Sequence, residues 1–134
     1  MITIKKIDCW PKEVTLSHLS QLERNTADYT YEELFKLCSV VWSIKKDGEI
    51  IMIAGVVQKG MISATPELWL STTTKMKPIY TRSLQFAVNS LIELYPTGLF
   101  FRTSNKTPVT KRFAVFMGFN PISQDEQYTY YEVH

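Results

Sequence analysis

Apolar and polar positions change period several times along this chain, and each change predicts an element. Thr3 to Ile7 is a short first strand that stops at Asp8-Cys9-Trp10-Pro11. From Val14 to about Val41 the spacing is helical. His18, Leu19 and Leu22 suggest one short segment, and Thr30 to Glu33 opens another as a capping box, with Leu34, Leu37, Cys38 and Val41 on one face. Val40 to Lys45 then becomes extended and Lys46-Asp47-Gly48-Glu49 is a hairpin turn of the Asp-Gly kind. Ile50 to Val57 is a continuous apolar run, as in a strand at the centre of a sheet covered on both faces. Gly60 breaks it, and Met61 to Ala64 with Glu67 to Ser71 supply one or two further strands.

Pro78 opens the strongest helix, where Tyr80, Leu84, Ala87, Val88, Leu91 and Tyr95 recur on one amphipathic face. Pro96 and Gly98 end it, and Leu99-Phe100-Phe101 is a buried strand. Thr107-Pro108 starts a second helix with Val109, Phe113, Phe116 and Met117 inward, closed by Gly118 in the left-handed conformation. Gln127 to Val133 is a closing strand. The expected class is α/β (α+β): one domain, residues 1–134, with a mixed, mostly antiparallel sheet of six or seven strands flanked by helices. Leu84, Val88, Leu91, Phe101 and Phe113 are the expected core.

Composition adds bounds. With 45% apolar and 21% charged residues over 134 positions, the chain has the make-up of a globular domain large enough to bury a core. Cys9 and Cys38 have no metal-type or redox-type spacing and suit a reducing compartment. No signal peptide is apparent in the opening residues, and the longest apolar run is far shorter than the ~20 residues of a membrane-spanning helix. A protein made and kept inside the cell is expected. The net charge of +2 conceals a partition: Lys75 to Arg112 holds seven Lys or Arg against Glu93 alone, a balance of +6, and the rest carries −4. Lys75, Lys77, Arg82, Lys106, Lys111 and Arg112 therefore form a candidate patch for phosphates, nucleic acid or an acidic partner. The alternative is a solvated helix face.

Several chemistries are poorly supported. The only histidines are His18 and His134, no Gly-x-Ser-x-Gly elbow exists, and five unclustered glycines make no Walker or dinucleotide loop. No zinc or iron ligand set stands out. Arg102, Lys106, Lys111 and Arg112 lie close to Phe100, Phe101, Tyr80 and Tyr95, as in single-strand binders, but these aromatics fall on inward positions and core packing is their expected role.

The order of elements after Tyr95, with Asn105 opening a turn and Gly118-Phe119 closing the last helix, resembles the C-terminal half of the GNAT acyltransferase superfamily. The whole chain can be laid on that plan. The resemblance implies that acetyl-CoA's pantetheine arm would lie between strands Glu67–Ser71 and Leu99–Thr103. Its pyrophosphate would meet backbone N–H groups where the following loop enters the long helix. It makes Leu70, Ser71, Lys75, Lys77 and Asn105 the candidate cofactor residues.

Two features the family would use are missing. Its loop carries Arg/Gln-x-x-Gly-x-Gly/Ala, whereas Ser71-Thr72-Thr73-Thr74-Lys75-Met76-Lys77-Pro78-Ile79-Tyr80 contains no glycine and Pro78 lacks an N–H. Lys75, Lys77 and Arg82 remain as side-chain substitutes. The family's tyrosine, four residues before the Gly-Phe pair, corresponds to Ala114. Tyr80, Tyr128, Tyr130 and Tyr131 are possible replacements, and no catalytic residue is singled out. These gaps, with the Met-x-Thr-Ile start and Leu-Trp-Leu-Ser leading into a glycine-free basic helix, resemble the small GNAT-like internal or virion-assembly proteins of short-tailed bacteriophages. That resemblance implies a non-enzymatic interaction protein of the host cytoplasm or virion, partnered by phage structural proteins and requiring no cofactor. The alternative is an active acetyl-CoA-dependent N-acyltransferase with an atypical phosphate-binding loop.

Overall fold

The computed structural model describes residues 2–11, 14, 35–57, 65–105 and 108–133. Seven strands form one sheet: β1 (Ile2–Lys6), β2 (Cys38–Lys46), β3 (Glu49–Val57), β4 (Glu67–Thr72), β5 (Leu99–Ser104), β6 (Asn120–Gln124) and β7 (Tyr128–Val133). Their spatial order is β1-β2-β3-β4-β5-β7-β6, and every neighbouring pair is antiparallel except β4 and β5. The helices are α1 (Thr81–Ile92), entered through a 3-10 turn at Pro78–Tyr80, and α2 (Pro108–Met117). The expected class, a mostly antiparallel mixed sheet flanked by helices, is the observed one.

Two apolar layers hold the sheet. On one face Leu84, Ala87, Val88 and Leu91 of α1 and Ala114 and Met117 of α2 pack with Met52, Leu70, Phe101 and Tyr131. On the other, Val41, Ile53, Val57 and Trp69 pack with Ile7, Trp10, Val14 and Phe35. Each large apolar side chain removed from water contributes ~1.5–3 kcal/mol before chain entropy is charged against it, so these layers carry the fold. Asp47 and Gly48, with φ of 52° and 84°, close the β2–β3 hairpin as its Asp-Gly pair predicts. Gly118 ends α2 at φ 80°.

Several expectations are corrected. Cys38 and Val41 belong to β2, not to a helix: only 35–37 of the described residues there are helical. Pairing with β3, joined at Val41 by the Ile7 N–H that donates to its carbonyl, outweighs the local helical spacing. The capping box at Thr30–Glu33, His18 and the 61–64 strand lie outside the described residues. The long helix is shorter than its pattern, so Tyr80 and Tyr95 flank it and pack half-buried on the core. Phe116 points outward at 44% exposed, because the inner face of α2 is centred on Ala114. Phe113 packs half-buried against the core. Phe100 is half-buried on the face opposite Phe101, as strand alternation requires. β6 is an addition to the strands read from the sequence: an exposed edge strand containing Pro121, with no apolar alternation to betray it.

Candidate functional site

The parallel pair β4 and β5 meets at a single register position, Glu67 opposite Phe100, where the Phe100 N–H donates to the Pro66 carbonyl at 2.9 Å. Beyond that point β4 follows β3 to Thr72 and β5 follows β7 to Ser104. The two strands therefore splay, and a wedge opens toward their C-terminal ends. The Thr73 N–H donates to Ile51 on the β3 side, so by alternation the peptide groups of Leu70 are turned to the wedge.

At the wedge's closed end Arg102 Nε lies 3.0 Å from Glu67 Oε2, an ion pair in which that N–H is not aligned for a hydrogen bond. The Arg102 guanidinium sits 5.0 Å from the Tyr128 ring centre, and Phe100 stacks on Tyr130 at 5.4 Å. Tyr130 donates its hydroxyl to Asp125 Oδ2 at 2.6 Å, and the N–H groups of Gln127 and Tyr128 donate to Oδ1 of the same carboxylate. Those donors, the phenol foremost, lower the Asp125 pKa, and the carboxylate in turn raises that of Tyr130. Burial raises the Cys38 thiol, partly offset by the Trp69 indole N–H that donates to its Sγ at 2.9 Å.

The open end leads into the loop before α1. Thr73 is buried and donates its hydroxyl to the Ile50 carbonyl at 2.6 Å. The Lys75 N–H donates to Thr73 Oγ1 at 3.2 Å, and those of Met76 and Tyr80 to the carbonyls of Thr73 and Lys77. The Thr81 N–H donates to the Pro78 carbonyl, and Pro78 has no N–H to offer. The loop thus uses most of these amides to hold its own turns. No acidic residue lies in the first turn of α1.

The structure distributes the sequence-derived candidates unevenly. Leu70 and Ser71 are buried in β4, paired with Ala54 and Ile53. Lys75 and Lys77 are exposed on the loop and Arg82 on the first turn of α1. Lys111 is half-buried and Arg112 exposed on α2, while Lys106 lies outside the described residues. Both helices start beyond the C-terminal ends of β4 and β5, so the two basic groups share one end of the sheet. Asn105 is committed to the β6–β7 turn: its amide donates to the Asp125 carbonyl at 2.8 Å and accepts from the Thr129 hydroxyl at 2.7 Å. Among the phenols, Tyr131 is buried with its hydroxyl 3.2 Å from Thr103 Oγ1, and Tyr80 stands at the loop. Sequence reasoning missed Lys46 and Glu67, both distant in the chain from the residues they meet. No group of three or more His, Cys, Asp or Glu among the described residues is placed to hold a metal ion, and no described helix is long and apolar enough to cross a membrane.

Solved structures share this architecture. A CoA complex of an acetyltransferase from Bacillus subtilis superposes with a TM-score of 0.68 at 12% identity, covering 99% of this chain and 98% of the other. The fold is that of the GNAT acetyltransferases. An IAA acetyltransferase from Bacillus cereus gives a TM-score of 0.65 at 14% identity, with 99% of both chains covered. The N-acetyltransferase PseH of Campylobacter jejuni, in complex with acetyl coenzyme A, gives 0.63 at 13% identity, covering 99% and 98%. The sequence matches no protein-family model and no curated protein. The GNAT fold accounts for the single parallel contact and the splay beside it. At these identities it does not carry an activity with it.

Proposed function

We propose that this chain binds acetyl-CoA in the β4–β5 wedge and is an N-acyltransferase with an atypical phosphate-binding loop. The observation that carries the reading is the splay beyond Glu67–Phe100, which leaves a slot flanked by Leu70 and opening on a loop rich in lysine. The slot fits an extended amide-containing arm, because strand peptide groups face it. The loop fits phosphates through the Lys75 and Lys77 side chains rather than through amides, since its amides are largely engaged. Bound acetyl-CoA would supply the activated acyl thioester. The chain's part is to hold that thioester against an amine and to manage protons near it. For the proton, Tyr130 with Asp125 and Tyr131 with Thr103 are the phenols with fixed partners.

Thermal unfolding with added acetyl-CoA tests the reading. Ligand at a hundredfold over its dissociation constant should stabilise a binder by ~2.7 kcal/mol, which for 134 residues raises Tm by about 10 °C. No shift at millimolar acetyl-CoA would refute it.

A second reading, a non-enzymatic virion or interaction protein like those of short-tailed phages, is favoured by a specific observation. The loop spends its amides internally and α2 offers Ala114 where a phenol would stand. In that reading the basic end of the sheet meets an acidic partner or nucleic acid in the host cytoplasm or the virion, and acetyl-CoA produces no shift.

A further inference from the structure

We infer that Lys46, from the β2–β3 hairpin, completes a side-chain phosphate site with Lys77 around the Tyr80 ring. The inference rests on the reading that the loop before α1 faces a phosphorylated ligand.

Lys46 Nζ lies 6.0 Å and Lys77 Nζ 5.8 Å from the centre of the Tyr80 ring. The two lysines come from elements far apart in sequence. Lys46 ends β2, fixed between Ile2 of β1 and Glu49 of β3. Lys77 precedes the 3-10 turn, and Tyr80 caps α1 while packing half-buried on the core. The half-buried ring is thus a post with both flexible ammonium groups within about 6 Å of its centre. Each ammonium lies within reach of an attractive aromatic face, and an anion held beside the ring would be drawn to both. Asp47 and Glu49 flank Lys46 on the hairpin. On the helix side, no Asp or Glu occurs from Leu68 to Ile92. The start of α1 adds the positive end of its dipole with no acid in its first turn.

The chemistry that fits is a diphosphate or clustered phosphate monoesters. Two ammonium groups can each donate to separate oxygens, replacing the backbone amides that the loop has used for its own turns. Acetyl-CoA's phosphates and a free polyphosphate share that chemistry.

Calorimetric titration of the wild type, Lys46→Ala, Lys77→Ala and Lys36→Ala with acetyl-CoA and with inorganic pyrophosphate tests it. Lys36 is exposed and adjoins Phe35, which packs on the sheet face opposite to Tyr80, and its variant carries the same loss of charge. The expected result is about tenfold weaker binding for each of the first two variants, the size of one lost charge-assisted hydrogen bond, and no change for Lys36→Ala. Unchanged thermal unfolding of the variants shows that the loss is local. Acetyl-CoA bound equally by all four proteins would overturn this site while leaving the proposed function standing. Pyrophosphate bound by the wild type and lost in both variants, with acetyl-CoA unbound, would uphold the site and overturn the proposed function. Binding of neither ligand would overturn both.

Discussion

Gly55→Ala is the smallest change that should disturb the strand forming one wall of the wedge. Gly55 lies opposite Trp69 in the β3–β4 ladder, and a Cβ built on it would fall 2.4 Å from the indole Cε2 and Cζ2 and 2.6 Å from Nε1. Real Cβ contacts are not that short, so the ring or the strand must move. The ring is buried among Val41, Ile53 and Val57, and its N–H donates to Cys38 Sγ at 2.9 Å. Displacing it costs packing and that bond together. Overpacking of this kind costs ~1–3 kcal/mol. With roughly 2.1 cal/mol/K of unfolding entropy per residue over 134 residues, 1 kcal/mol moves Tm by about 3.5 °C. Gly55→Ala should therefore melt about 4–10 °C below the wild type by circular dichroism, with a lower urea midpoint at unchanged m. Trp69→Phe removes the indole atoms that the new methyl would strike. In that background Gly55→Ala should lose most of its effect, a coupling of ~1 kcal/mol or more. A Gly55→Ala protein as stable as the wild type, or two penalties that simply add, would refute the reasoning.

Two further outcomes follow from the packing and the hairpin carboxylate. Phe101→Ala removes a buried ring 4.9 Å from Phe119 and 6.1 Å from Tyr131. It should cost ~3–5 kcal/mol and lower Tm by about 10–18 °C, whereas Phe100→Ala, half-buried on the other face, should cost clearly less; equal losses would show that the face assignment is wrong. Asp125 has its pKa depressed first by the Tyr130 hydroxyl, so its contribution is present above the ordinary carboxyl value of 3.8 and is lost as pH falls through the lower folded value. Urea midpoints from pH 6 down to pH 2 should drop less in Asp125→Asn than in the wild type, and parallel curves would count against the bond.

Where local signals and tertiary placement agreed, the fold was legible. Asp47-Gly48 demands positive φ at both positions, and the Ile50 to Val57 run can be buried on both faces only at a sheet centre. The 3.6-residue period of Leu84, Ala87, Val88 and Leu91 marked the buried face of α1. Legibility failed where one residue set satisfied two periods. Cys38 and Val41 sit at helical spacing from Leu34 and Leu37, yet strand pairing with Val57 and Gly55 of β3 decides their state. In α2, Phe113, Phe116 and Met117 all suit an inner face by hydropathy. Burial of the small Ala114, which hydropathy did not single out, goes with the rotation that turns Phe116 out.

For the site the division follows covalent distance. What the loop before α1 lacks was readable, because glycines that are absent and a proline without an N–H are local facts. What the loop does instead was not, because it depends on partners elsewhere in the chain. Thr73 spends its hydroxyl on Ile50, and Lys46 arrives from a hairpin that carries no phosphate-binding motif. The same holds at the closed end of the wedge, where Glu67 and Arg102 meet only because β4 and β5 touch there. The Lys75, Met76, Tyr80 and Thr81 amides are engaged before any ligand arrives, which shifts the task of holding an anion toward long lysine side chains. Such side chains lose rotamer freedom when they bind, at ~0.5–1.5 kcal/mol each, whereas fixed amides do not. A phosphate site built this way should be weaker and more salt-sensitive than an amide cradle of the same charge. Acetyl-CoA affinity falling steeply between low and physiological ionic strength fits that construction, and affinity indifferent to salt does not.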